Sequence, residues 1–238
     1  MNAARTDPPV VLLWDIDGTL LTTGRAGIPA FEDAVREVLG LEVDLRGLPT
    51  AGLTDRTIAR EILVSLGLPS DTAIEHAILD VYTRQLPERL RQGRGTVMPG
   101  VVEVLDYLSP LDTVVIALLT GNMRAGAAAK LEWCGLSHYF ATGAFADDSL
   151  DRGEIAAAAL ARVTDVAGPL DLDRVYVIGD TPHDIACGHA VGARTIGVAT
   201  GSYRMEELAA CQPWWVIPAL PDAAVFADHL GLHATARR

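Results

Sequence analysis

The chain has 238 residues, 50% of them hydrophobic and 21% charged. This excludes a disordered chain and suffices for a core without disulfide or metal staples. Its 31 acidic residues outnumber 19 basic ones, a formal charge of -12, which excludes a general binder of nucleic-acid backbone, since that requires a basic face. At ~150 residues per domain, the length corresponds to about 1.6 domains.

Residues 10–14 (Val-Val-Leu-Leu-Trp) form a continuous apolar run ending at Asp15, the pattern of a parallel strand buried on both faces. Gly18 breaks it. Ile28, Phe31, Val35, Val38 and Leu39 then recur at helical spacing up to Gly40. Thr54-Asp55 opens a second helix carrying Ile58, Ile62, Leu63 and Leu66, closed by Gly67. Ser70 is the expected cap of a third, with Ile74, Ala77, Ile78 and Val81 inside and Pro87 near its end. Residues 92–95 read as a loop. Pro99-Gly100 opens a helix bearing Val101, Val104, Leu105 and Leu108. The spacing then predicts a strand over 114–119, helices over 124–133 and 154–163, a strand over 175–178, a helix over 184–190 and a strand over 195–198. Strands alternating with helices define an α/β fold with a doubly wound parallel sheet. Residues 233–238 read as a frayed tail.

Several chemistries are absent. Lys130 is the only lysine and follows Ala129, so no G-x-x-x-x-G-K-[ST] phosphate loop exists; G-x-S-x-G, H-E-x-x-H and G-x-G-x-x-G are also missing. Cys134, Cys187 and Cys211 lie far apart without C-x-x-C spacing, the pattern of inert thiols in a reducing compartment. No apolar signal core opens the sequence, and the run over 114–119 is too short to cross a bilayer. A cytoplasmic protein without membrane or nucleic-acid partners is the expectation.

Ligands of doubly wound sheets bind at the carboxyl ends of the strands. Three predicted strands end there in polar residues: Asp15-Ile-Asp17-Gly18-Thr19, Thr120-Gly121-Asn122, and Gly179-Asp180-Thr-Pro-His183-Asp184. Four carboxylates cannot share a crevice ionised without a cation, and an all-oxygen set selects a hard ion, Mg²⁺ foremost. The glycines let backbone N–H groups approach an anion. A calcium loop is excluded, because its twelfth position, which needs Glu, is Ala26.

These motifs, in this order, resemble the haloacid dehalogenase-like hydrolase superfamily in its phosphatase branch. Its first motif, D-x-D-G-T, matches Asp15, Asp17, Gly18 and Thr19; its second matches Thr120; its fourth, G-D-x-x-x-D, matches Gly179, Asp180 and Asp184. The segment 192–198 is similar too. The resemblance implies a Rossmann-like core over 1–21 and 98–238, with an inserted helical cap of the C1 type over 22–97. It also implies a small phosphorylated substrate, phosphoglycolate-like or a sugar phosphate.

The resemblance makes Asp15 the nucleophile and Asp17 the general acid and base. Asp15, Asp17 (through its main-chain carbonyl), Asp180 and Asp184 would hold Mg²⁺. Thr120, Gly18, Gly121 and Asn122 would hold the phosphoryl group. Family members that dehalogenate lack an acid at the Asp17 position, because halide leaves without a proton. The third motif, usually lysine, departs from the pattern: Arg152 matches its place better than Lys130, so Arg152→Ala is expected to abolish turnover and Lys130→Ala to be mild. Thr54 or Arg56 is expected to contact the leaving group, and 22–27 to act as a hinge. A phosphomutase of the β-phosphoglucomutase type shares all four motifs and stays open. So does a degenerate binding or regulatory protein, against which the intact motifs speak. Monomer and homodimer are both compatible.

Overall fold

A computed structural model describes residues 8–232; the tail expected over 233–238 and the N-terminal residues 1–7 lie outside them. β1 (Val10–Trp14) leads through β2 (Leu21–Thr22) to α1 (Gly27–Leu39), α2 (Asp55–Ser65) and α3 (Thr72–Gln92), then β3 (Thr96–Val97). There follow α4 (Val101–Leu108), β4 (Val114–Leu119), α5 (Arg124–Trp133), β5 (Gly143–Ala144), α6 (Arg152–Ala167) and β6 (Val175–Gly179). The chain closes with α7 (Pro182–Ala190), β7 (Arg194–Val198), α8 (Met205–Ala210), β8 (Trp215–Ile217) and α9 (Ala223–His229).

Six strands form one parallel sheet in the order β5-β4-β1-β6-β7-β8. Side chains of a strand alternate between faces, and every residue of β1 is buried because helices cover both. Val10, Leu12 and Trp14 pack with Val104 of α4, Leu131 of α5 and Phe226 of α9. Val11 and Leu13 face the other way, onto Ile155 and Ala159 of α6 and Cys187 of α7. The helices α1, α2 and α3 enclose a separate apolar cluster that includes Ile28, Phe31, Val35, Ile62, Ile78 and Tyr82. Two chain passages join these helices to the sheet, and they pair as an antiparallel ribbon, Leu21 opposite Val97.

Register positions the site. Trp14 stands opposite Leu118 on one side and Ile178 on the other. The three strands therefore end level, and Asp15, Thr120 and Asp180 emerge at one edge. The Asp15 N–H still donates to the Ile178 carbonyl at 2.9 Å.

Some helix starts differ from the sequence expectation. Asp71, not Ser70, caps α3, its carboxylate accepting from the N–H groups of Ala73 and Ile74 at 2.8 and 3.3 Å; α3 begins at Thr72, so Asp71 holds the capping position. Asp151 caps α6 by accepting from Glu154 N–H at 3.0 Å, which puts Arg152 in the first turn. Thr181 caps α7, with Pro182 next, where its missing N–H is harmless. The strands β2, β3 and β5 have two residues each, too few for any periodicity to reveal.

Candidate active site

The turn after β1 folds back tightly: Leu20 N–H donates to the Ile16 carbonyl at 2.9 Å and Gly18 N–H to Leu21 at 2.8 Å. Gly18 has φ +84°, and a Cβ there would lie 2.4 Å from Asp180 Oδ2. The loop after β7 closes from the far side. Thr200 Oγ1 donates to the Gly18 carbonyl at 2.6 Å, and a Cβ on Gly201 would lie 1.7 Å from the same Asp180 oxygen. Two glycines thus make the cradle that holds the Asp180 carboxylate, to which Thr19 Oγ1 donates at 3.2 Å. Thr200 and Gly201 were not singled out in the sequence. Their signal was a fourth strand end, at Val198, followed by small polar residues.

Asp15, Asp180 and Asp184 are buried, and each offers one carboxylate oxygen within 4.8 Å of the others. Burial, and then the neighbouring Asp184, raise the pKa of Asp15 and of Asp180. The set is all hard oxygen with surplus negative charge, which suits a hard divalent cation. Arg152 reaches the cluster from α6, its Nη2 donating to Asp184 Oδ1 and lying 3.7 Å from Asp15 Oδ1. Burial works against its charge, but Asp184 and Asp15 hold it ionised.

The Asp17 carboxylate points elsewhere. Its Oδ2 accepts from Lys130 Nζ at 2.5 Å and from Asn122 Nδ2 at 2.8 Å. Asn122 Nδ2 also donates to Thr120 Oγ1 at 2.7 Å, and Lys130 donates to Asn122 Oδ1. Lys130 is 4% exposed. It lies on α5 where α3 packs against that helix, so its ammonium is enclosed rather than solvated. Both basic candidates stand in the site, one on each of two carboxylates.

The helical side contributes Asp55 rather than its neighbours. Thr54 caps α2, its Oγ1 accepting from Thr57 N–H at 3.0 Å, which turns it away from the cavity. Arg56 is not in the cavity wall either, and its Nε is buried without a hydrogen-bond partner. Asp55, between them, is 5% exposed. Its Oδ2 accepts from Met123 N–H at 2.7 Å, and its own N–H donates to the Gly121 carbonyl at 2.7 Å. Tyr82 O–H donates to Oδ1 at 3.4 Å. Burial pushes the Asp55 pKa up to about 6, against the pull of Lys130. Asp55 was missed because, in the run Thr54-Asp55-Arg56 at a helix start, the sequence does not tell which side chain turns toward the cavity.

A cavity of about 380 Å³ lies between sheet edge and helices, lined by Asp15, Asp17, Lys130 and Arg152 below and by Asp55 and apolar residues above. Gly18, Gly121 and Asn122 also line it. Arg25, in the expected hinge, stands exposed in its wall, Nη2 donating to the Arg46 carbonyl at 2.6 Å. His183 lines a second cavity, which Arg152 also borders.

Such a carboxylate cluster at the strand ends of a parallel sheet has the make-up of a metal-assisted site, and the comparisons give its class as a hydrolase. Residues 12–189 match the model of the haloacid dehalogenase-like hydrolase family, and the chain belongs to that family. It is 30% identical over 212 residues to the probable phosphatase IndB of Dickeya dadantii (strain 3937), covering 87% of this chain and 88% of that protein. A phosphoglycolate phosphatase of Rhodospirillum rubrum is 25% identical over 234 residues, 94% of this chain and 91% of that one. In fold, the chain matches the crystal structure of a hydrolase from Pseudomonas syringae with a TM-score of 0.70 at 20% identity, over 93% of this chain and 98% of that one. No helix among the described residues is long and apolar enough to cross a membrane.

Proposed function

We propose that the chain is a Mg²⁺-dependent phosphomonoester hydrolase of a small phosphorylated metabolite, with residues 1–21 and 98–238 as catalytic core and 22–97 as the cap over it. The observation that carries this reading is the placing of Asp15, buried at a strand end beside Asp180 and Asp184, with Arg152 3.7 Å away. The names of the curated relatives, a probable phosphatase and phosphoglycolate phosphatases, support the same class.

In this reading a carboxylate oxygen of Asp15 attacks phosphorus, and the bond from phosphorus to the substrate's alcohol oxygen breaks. That oxygen takes the proton of Asp17. Water then attacks the aspartyl-phosphate, giving a proton back to Asp17, and the bond from phosphorus to Asp15 breaks to release inorganic phosphate. Lys130 and Asn122 hold Asp17 in place, while Arg152 offsets the charge at Asp15. Thr120 and the backbone N–H groups near Gly121 receive the phosphoryl oxygens. Asp15, Asp180, Asp184 and the Asp17 carbonyl would hold Mg²⁺, which when bound neutralises charge between the carboxylates and the phosphoryl group.

The test is release of inorganic phosphate from p-nitrophenyl phosphate with Mg²⁺. Release should vanish with EDTA and in Asp15→Asn. If neither this ester nor a panel of metabolite phosphates is hydrolysed with Mg²⁺ present, the reading is wrong.

A further inference from the structure

We infer that the alcohol released at this site is uncharged and carries an apolar, ring-sized body, rather than a carboxylate or a second phosphate. The inference rests on the phosphomonoesterase reading and narrows it.

Shape is the first ground. Away from the carboxylates, the apolar part of the cavity wall is Ile28, Phe31, Leu53, Ile58, Tyr82 and Met98. Phe31 and Tyr82 stack, with ring centroids 3.9 Å apart and planes at 10°; both are almost fully buried, so they make a rigid backing to this part of the wall. The cavity holds about 380 Å³, roughly a dozen waters' worth of liquid volume. It falls in the range of sites that enclose drug-sized ligands and is larger than a phosphate on a two-carbon acid requires.

Charge points the same way. Three cations line the cavity among the described residues, Arg25, Lys130 and Arg152. Arg152 is committed to Asp184 and Asp15, and Lys130 to Asp17 and Asn122. Arg25 is exposed, with one nitrogen on a backbone carbonyl. On the helical side Asp55 adds an acidic group whose oxygens are already taken by Met123 and Tyr82. A substrate carboxylate there would lose water against carbon and beside another acid, an unfavourable exchange. The threonines Thr22, Thr23 and Thr50 also line the cavity, and their hydroxyls suit neutral polar groups on the alcohol.

The test compares kcat/KM for phosphate release, with Mg²⁺, from benzyl phosphate, glucose 6-phosphate and phosphoglycolate. All three release an alkoxide, so none has the activated leaving group of a phenyl ester. One methylene in an apolar pocket is worth about 10–200-fold, so benzyl phosphate should exceed phosphoglycolate at least ~10-fold. Leu53→Ser, on the half-buried loop before α2, should reduce that ratio several-fold while the melting temperature confirms folding. A better rate with phosphoglycolate or glucose 6-phosphate overturns the inference. So does a phosphoglycolate preference that disappears in Arg25→Ala, which would make the exposed cation the reader of the substrate. A folded Leu53→Ser with an unchanged ratio counts against it equally. No release from any ester by the wild-type protein overturns the phosphomonoesterase reading, and the inference with it.

Discussion

Replacing Lys130 by methionine removes a buried ammonium while keeping a side chain of similar length. In the wild type, its nitrogen stands on Asp17 at 2.5 Å, and its charge also faces the buried Asp55. Breaking one partner out of a buried pair typically costs about 3–5 kcal/mol. Two features reduce this. The Asp17 side chain is 42% exposed, so water re-solvates it. Asp55 keeps its two hydrogen-bond donors, and with a pKa already pushed up to about 6 it can take up a proton when the cation is gone. A loss of about 2 kcal/mol at pH 7.5 follows from discounting the buried-pair cost for this solvation and protonation. At pH 5 Asp55 is largely protonated even in the wild type, so the loss should shrink to under about 1 kcal/mol, the value of an exposed pair. Urea unfolding of both proteins at the two pH values, followed by circular dichroism, measures this. Turnover should fall by about 10²-fold or more with KM little changed, the size of effect expected when a general acid loses its positioning. A stability loss below about 0.5 kcal/mol at pH 7.5, the range of ordinary surface substitutions, would refute the reasoning. An equal loss at both pH values would do the same.

Arg152→Ala should lower kcat by about 10²–10³-fold, as loss of one charge-stabilising donor does; a rate within tenfold of wild type would remove Arg152 from the site. In EDTA the protein should lose stability as pH rises from about 4 through 6 and beyond. Asp55, from 3.8 to about 6, and Asp15 and Asp180 have pKa values raised by folding. The native state thus keeps protons that the unfolded chain has released over that window. Melting temperatures should therefore be lower at pH 8 than at pH 5.5, and millimolar Mg²⁺ should raise them more at pH 8; the opposite order would contradict the cluster's charge balance. Gly201→Ala sets a methyl group against Asp180, and should raise the Mg²⁺ concentration needed for half-maximal phosphate release by about 10-fold or more. An unchanged Mg²⁺ titration would mean the loop after β7 does not hold that carboxylate.

Much of the architecture is legible in the linear chain. β1, β4 and α5 occupy the residues the spacing predicts, and β6 and β7 differ by one residue each. Continuous apolar runs bounded by glycine and acid leave few alternatives to buried parallel strands. The polar residues at those strand ends, and the excess of acid among them, could be read the same way. Interactions without sequence periodicity could not. The two-residue ribbon of β2 and β3 exists only because the two passages lie side by side. The caps at Asp71, Asp151 and Thr181 depend on which of several adjacent polar residues reaches the first free N–H groups.

The composition and local pattern by themselves determined an α/β sheet with carboxylates gathered at its edge, because apolarity and hydrogen-bonding preference act over a few residues. Only the tertiary structure decided which cation meets which acid. Lys130, the weaker candidate by its place in the sequence, is buried and held on Asp17, while Arg152, in the first turn of α6, reaches Asp184 and Asp15. It also decided that Asp55, not Thr54 or Arg56, enters the cavity. Burial and charge pairing arise between segments far apart along the chain, 113 residues for Lys130 and Asp17 and 32 for Arg152 and Asp184. Spacing along one segment carries no information about such distances.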